Sequence, residues 1–223
     1  MGDMADHLAW AAPDNEPACF LRVSDHTYWC GKTPLLGVGQ ILEINGLKVH
    51  WKDAPESMQF GSDVHFATQL DDEGNLDEES VSSEIMGCIQ GWRQFKKDFQ
   101  VVIEQREQPV FRPDLGAAGT PDAIITMTYQ KARVSAIPDI KTGSSGLQPW
   151  WAWQTAVYAV LLDTVASKRL VVHLEANGRY KIHWFNDILG DRAVFQAALL
   201  IARVKQEIEK GKGNQDGSKR KKE

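Results

Sequence analysis

Cysteine is scarce in this 223-residue chain, and the three present (Cys19, Cys30 and Cys88) are odd in number and widely scattered. That pattern predicts reduced thiols in an intracellular protein, not a disulfide framework or a CxxC metal clamp. Long apolar runs are missing too. The longest, Ala156 to Leu162, is far too short to cross a bilayer. The opening residues, MGDMADHLAW, carry acids where a secretion signal carries base, and they contain no apolar stretch. No internal repeat is visible, and no low-complexity segment precedes the last residues. These absences set aside membrane, secreted-scaffold and repeat classes, and a cytoplasmic location is expected.

What is present is ordinary for a globular protein: 43% hydrophobic and 25% charged residues in 25.0 kDa, enough chain for one domain with short appendages. The net charge of −5 discourages a nucleic-acid reading, but the charge is unevenly spread. Asp71 to Glu84 holds seven acids and no base, whereas Lys205 to the end holds seven bases against four acids. A basic tail suits contact with phosphate backbones, and it equally suits a solvated, disordered terminus.

Residues 1–27 read as an irregular arm, with Pro13 and Pro17, and His26 to Trp51 as Gly-rich turns leading into a short helix or strand. Gly61 to Leu70 is helix-compatible and precedes an acidic loop. Ser80 or Ser82 can cap the next helix, in which Ile85, Met86, Ile89, Trp92, Phe95 and Phe99 recur at helical spacing. Strands are expected at 100–111, 122–129 and 134–141, the last two joined by a short polar connection. Pro149 fits the first turn of a helix, and Asn177-Gly178 is a hairpin signal between strands at 170–176 and 179–185. A final amphipathic helix covers 192–209, ahead of a basic disordered tail at 211–223. The order α-β-β-β-α-β-β-α predicts an α/β fold with one mixed central β-sheet flanked by helices, a single domain over 28–210.

Within that order, Asp139 and Lys141 stand two apart on a strand and share a face, while Ile140 points the other way. A carboxylate that holds a divalent cation, beside a lysine that orients water and offsets charge on phosphorus, suits phosphodiester hydrolysis. Taken alone, the pair is equally what a salt bridge on a sheet face requires. Asp122 follows Gly119-Thr120-Pro121 and falls at the same end of the expected hairpin, so two carboxylates converge on a site for a hard cation. The alternative for Asp122 is an ordinary Pro-Asp turn, since the chain holds four such pairs. Gln154 and Tyr158 share a helix face at i and i+4 and can grip a phosphate or ribose, or simply decorate a helix surface. Trp150, Trp151 and Trp153 can stack bases or fill a core.

G-T-P-D, then D-I-K, then Q-T-A-V-Y, with Gly61-Ser-Asp-Val-His65 upstream, resembles the PD-(D/E)XK nuclease superfamily. The RecB-like and phage-exonuclease branch, with its Q-x-x-x-Y motif, is the part it is most similar to. The stretch EQPVFRPDLGAAGTPD and the opening YWCGKTPLLGVGQIL add to the likeness, which spans Tyr28 to Phe185. It implies a restriction-endonuclease-like core and a metal-dependent deoxyribonuclease. His65, Asp122, Asp139 and the Ile140 carbonyl would surround Mg²⁺ or Mn²⁺, and Lys141 would be the catalytic lysine. Gln154, Tyr158 and Trp150 would hold the DNA, joined by Lys219, Arg220, Lys221 and Lys222 of the tail. The substrate would be linear duplex or single-stranded DNA, digested from its ends, and the partner a recombinase or single-strand-annealing protein. The iron–sulfur cysteines of some relatives are absent. The competing classes are a structure-specific endonuclease and a DNA-binding subunit that keeps the fold without the chemistry.

Overall fold

A computed structural model describes residues 7–10, 18–48, 55–143, 146–164 and 167–219 of the chain. Where one mixed sheet is expected, it shows two, flanked by five helices. The first sheet contains β1 (His7–Trp10), β2 (Cys19–Arg22), β3 (Thr27–Cys30), β4 (Thr33–Gly37), β6 (Val110–Arg112) and β7 (Ala117–Gly119), in the order β1-β2-β3-β4-β7-β6. The second contains β5 (Val102–Arg106), β8 (Ala123–Tyr129), β9 (Ala132–Lys141), β10 (Lys168–Leu174) and β11 (Tyr180–Phe185), in the order β11-β10-β9-β8-β5. The helices are α1 (Val38–Ile44), α2 (Pro55–Glu73), α3 (Ser83–Asp98), α4 (Pro149–Leu161) and α5 (Ile188–Lys219).

The segment read as one strand over 100–111 divides into β5 and β6, which join different sheets. The break falls at Glu107, whose φ of 46° is left-handed, followed by Gln108 and Pro109. A residue in that region turns the chain sharply, and proline then removes a donor from any continuing ladder. The arm read as irregular carries β1 and β2 among its described residues. In the β2–β3 register Cys19 lies opposite Cys30, and the two form a disulfide. The expectation of three reduced thiols is therefore corrected; only Cys88 is free, and it is buried. A count of scattered cysteines could not reveal a pairing that depends on register. The final helix starts at Ile188 rather than 192 and runs to Lys219, where a disordered tail is expected. Arg220, Lys221 and Lys222 lie outside the described residues, as does the side chain of Lys219.

The second sheet is covered on both faces. One face presents Ile125, Met127, Ile140, Leu170 and Val172 to Trp92 and Phe95 of α3 and Val64 of α2, all buried. The other meets α4, which with α1 and α5 encloses Ile137, Val157 and Phe195. Ser82 caps α3 through its hydroxyl, which accepts from the Ile85 N–H, and Pro149 occupies the first turn of α4. Three acids of the run that begins at Asp71 are ion-paired within the fold. Asp71 and Asp72 end α2 against Arg93 and Lys96 of α3 and Arg106 of β5, and Glu78 also meets Arg93.

Helix α3 lies on the β10–β11 hairpin through glycine. A Cβ at Gly87 would collide with the Ala176 carbonyl, and one at Gly91 would sit 2.8 Å from the Arg179 carbonyl oxygen. Both obstacles are backbone, so relief requires moving the helix or the hairpin. Gly87→Ala is expected to destabilise the chain by about 2 kcal/mol, despite the better helix propensity of alanine. Thermal unfolding should show a midpoint lower by roughly 4–8 °C. Gly39→Ala, whose Cβ would meet only side-chain ends at 3.6 Å, is the control and should leave the midpoint nearly unchanged.

Candidate active site

The β8–β9 hairpin brings the predicted carboxylates together. Its turn, Gln130-Lys131, has positive φ at both residues (48° and 67°), the backbone of the tight hairpins that match strand twist. The ladder pairs Ile125 with Ala136, and three further residues along each strand bring Asp122 opposite Asp139. Asp122 Oδ2 accepts a 2.5 Å hydrogen bond from the Ile140 N–H. Asp139 and Lys141, on one face of β9, form an ion pair of 2.5 Å between Oδ2 and Nζ. Asp139 is fully buried, and neither of its oxygens accepts a well-aligned hydrogen bond.

His65 reaches this point from α2. Its Nε2 lies 3.0 Å from the Ile140 carbonyl oxygen. A carbonyl only accepts, so Nε2 carries the proton and, in the neutral ring, Nδ1 keeps its lone pair. Nδ1 faces Asp122 at 3.5 Å and Glu107 at 3.7 Å. The Ile140 carbonyl, expected at the cation, thus receives the histidine. Ligand atoms of His65, Glu107 and Asp122 all lie within 4.8 Å of one another. Glu107 is absent from the sequence reading because no motif spacing marks it. The available signal was local: a glutamate directly before a Gln-Pro break, where a strand must turn. Its left-handed backbone is a conformation that persists where surrounding structure enforces it, and such residues cluster at functional sites.

The electrostatics are lopsided. Glu107, Asp122 and Asp139 face one ammonium and one imidazole. Burial pushes the Asp139 carboxyl up to about 6, helped by Asp122 and opposed by Lys141. Burial pulls Lys141 down, but Asp139, Asp122 and Glu107 outweigh it and raise the ammonium above its usual value. Lys141 therefore stays protonated at neutral pH and acts as a hydrogen-bond donor, not a base. For His65, burial disfavours the charged ring, and Asp122 with Glu107 reverses the balance and raises its pKa. Hard oxygen donors plus one imidazole nitrogen, with negative charge in excess, fit a divalent cation of the Mg²⁺ or Mn²⁺ kind.

The α4 residues take up different positions. Trp150 lies under two lysines, with Lys141 Nζ and Lys48 Nζ each 5.5 Å from its ring centre. Gln154 Nε2 donates to the Tyr158 hydroxyl at 3.1 Å. Tyr158 is buried in the core rather than lying along the helix surface, and burial together with Asp139 and Asp122 raises its pKa well above normal. Both line a cleft of about 370 Å³ with His26, Tyr28, Gln40, Lys48 and Thr120. In it the Tyr28 and Thr120 hydroxyls are 3.0 Å apart, which ties β3 to the segment that enters Asp122. Trp151 and Trp153 belong with the core packing.

No protein-family model matches the chain, and no curated protein matches it in sequence. Among solved structures it is similar to an alkaline exonuclease from Laribacter hongkongensis, with a TM-score of 0.48 and 9% identity over 83% of this chain and 94% of that one. It is also similar to SSO0001, with a TM-score of 0.34 and 19% identity over 75% of this chain and 83% of that one. Neither likeness is close enough to speak for activity.

Titration of the metal-free chain with Mn²⁺ or Mg²⁺, followed by calorimetry, should show a site lost in Asp122→Asn and weakened at least tenfold in Glu107→Gln. At a concentration about 100 times the dissociation constant, the cation should stabilise the wild-type fold by about 2.7 kcal/mol. Equal affinity in all three proteins would place the cation elsewhere.

Proposed function

We propose that the chain is a metal-dependent deoxyribonuclease that hydrolyses DNA phosphodiesters, working from the ends of linear duplex or single-stranded DNA. The observation that carries this reading is the convergence of Asp122, Asp139, Glu107 and His65 beside the half-buried Lys141, ion-paired to Asp139, at one end of a sheet. The order of His65, Asp122, Asp139 and Lys141 along the chain is that of the nuclease superfamily whose motifs the sequence resembles. His65 through Nδ1, Glu107 and Asp122 would hold the cation, with Asp139 close behind. The cation would supply charge neutralisation at phosphorus and a lower pKa for water.

The chain's own groups account for the rest. Lys141, kept as an ammonium by its carboxylate neighbours, donates hydrogen bonds to the attacking water or to a non-bridging phosphate oxygen as negative charge grows there. Asp139 fixes that ammonium by its ion pair. The Ile140 N–H orients Asp122, and the Ile140 carbonyl orients His65 through the opposite ring nitrogen, a support that fixes tautomer and direction. Gln154, Tyr158 and Thr120 line the cleft alongside with amide and hydroxyl groups suited to a sugar-phosphate strand. Trp150 beside Lys141 offers a ring to a base. A cytoplasmic role in recombination, repair or phage DNA metabolism follows from the same resemblance, with a recombinase or annealing protein as partner.

Lys141→Ala is expected to lower cleavage at least a hundredfold while leaving cation affinity largely intact, because the lysine acts on the transition state rather than on the ion. Near wild-type digestion by this variant would sink the assignment. End dependence is read by comparing linear duplex, linear single strands and closed circles at equal nucleotide concentration: linear DNA should disappear and circles persist. Conversion of circles would instead mark a structure-specific endonuclease. DNA binding without cleavage under any divalent cation would mark a non-catalytic subunit.

The basic end of the chain supplies a further expectation. If Lys219, Arg220, Lys221 and Lys222 neutralise phosphates, deleting the chain from Lys210 onward should flatten the dependence of DNA affinity on salt by close to one log unit per lost contact. Turnover at saturating DNA should survive. An unchanged slope would return these residues to a solvated terminus.

A further inference from the structure

A cleft of about 580 Å³ lies beside the candidate active site and takes no part in the chemistry above. It opens beyond the carboxyl ends of β9 and β10, two parallel strands, which is where open α/β sheets place ligands. Its walls include Phe60 of α2, Leu147, His173 of β10, Asn177, and Lys181 and His183 of β11. In the parallel register His173 pairs with Lys141, and across the next ladder Lys181 pairs with His173. Paired residues share a sheet face, so Lys141, His173 and Lys181 form one row, with Asp139, Val171 and His183 in the row behind. The cleft therefore continues the face that bears the Asp139–Lys141 pair, within two strand spacings, on the order of 10 Å.

The chemistry of the walls narrows the occupant. Lys181 is the cation among them, and Glu175 neutralises it at 2.5 Å. His183 is held below the usual histidine range by burial, by His173 and by Lys181, so it stays neutral near pH 7. Among the described residues of the walls, a phosphate would find no free positive charge. The flat surfaces are prominent: Phe60 and the two histidine rings, with Trp151 packed behind both at 5.9 and 5.8 Å between ring centres. Leu147, 55% exposed, adds apolar surface at the mouth. His173 is already engaged by the Gly143 carbonyl at 2.7 Å, which holds its ring in place. The ring nitrogens of His183 make no hydrogen bond among the described residues, and they remain able to meet a polar edge.

We infer that this cleft is a nucleobase-binding subsite, which takes a base of the DNA strand next to the phosphate held at Lys141. A planar, neutral heterocycle with a hydrogen-bonding edge matches rings plus a neutral imidazole, and stacking tolerates all four bases. The inference rests on the nuclease reading, since it places DNA at the adjacent site.

The test uses the full chain in EDTA, where no cleavage occurs. Fluorescence anisotropy compares a labelled single-stranded oligonucleotide with the same strand carrying abasic sites. The wild-type chain should bind the base-bearing strand about tenfold more tightly, the scale of one stacked base. Phe60→Ala and His183→Ala, on separate elements, should each lower that ratio severalfold while cation affinity stays near wild type. An affinity ratio near one for the wild type, or a full ratio kept in both variants, would overturn the subsite. That result would leave the nuclease assignment standing if cleavage is seen with Mg²⁺ or Mn²⁺. Conversely, a base-dependent ratio with no cleavage under either cation would keep the subsite and remove the nuclease.

Discussion

The antiparallel register between β8 and β9 is the constraint on which the rest of the site depends. It brings Asp122 opposite Asp139 and lets the Ile140 N–H hold the Asp122 carboxylate. It also aims Asp139 and Lys141 to the same face. A slip of one residue would turn every side chain of β9 to the opposite face, burying Lys141 in the apolar layer under α3 and putting Ile140 among the carboxylates. Two forces hold the register. The Gln130-Lys131 turn has the positive φ values that a two-residue hairpin needs, and the alternation along β9 puts Ala136 and Ile140 in a fully buried core. The hydrophobic pattern and the charge pattern of one strand are therefore the same fact seen from its two faces.

That arrangement costs stability. Three carboxylates stand near one another, one of them fully buried with poor hydrogen bonding, and the Asp139 carboxyl is pushed up to about 6 as a result. Its folded-state pKa exceeds its unfolded value, so the folded chain holds the extra proton between about pH 4 and 6. Stability falls as pH rises through that window. A group selected for folding alone would have the opposite sign. The penalty is offset elsewhere, in the aromatic and aliphatic packing of Trp92, Phe95, Ile125 and Leu170 and in the Asp71, Asp72, Arg93, Lys96 and Arg106 cluster that ties α2 to α3 and β5. The last of these matters for geometry as well. Arg106 bonds Thr68 on the helix that carries His65, and Glu107 follows Arg106 directly.

Much of this was legible before any coordinates, and the reasons differ by element. Strand alternation placed Asp139 and Lys141 together, and proline and the Asn-Gly pair located α4 and the β10–β11 hairpin, because these signals are local. What was illegible depended on tertiary placement. Glu107 joins the site only because the chain breaks between β5 and β6 and enters a second sheet. The Cys19–Cys30 pairing follows from the β2–β3 register, and that strand pair was itself hidden where a stretch read as an irregular arm meets one read as turns. Tyr158 reads as a strand-gripping or surface residue on an apolar helix, yet packing of α4 against α1 and α5 buries it in the core at the edge of the cleft.

The first sheet, which the sequence reading did not separate, is also what completes the cleft. Its strand β3 delivers the buried Tyr28 to Thr120 at the entrance to Asp122. Gly119 just before it has no room for a side chain, since a Cβ there would lie 2.7 Å from Val38 and 3.0 Å from the Tyr158 ring. Residues from β3, α1, β7 and α4 thus meet within one side chain's width of the strand that carries the first carboxylate. A shift of the first sheet would be transmitted to Asp122 through packed backbone, because close-packed interiors have no slack to absorb it. The motif G-T-P-D is accordingly a packing requirement as much as a chemical one. Glycine admits two neighbouring elements, threonine ties β3 to the turn, and the aspartate that follows is fixed in direction before any ligand arrives.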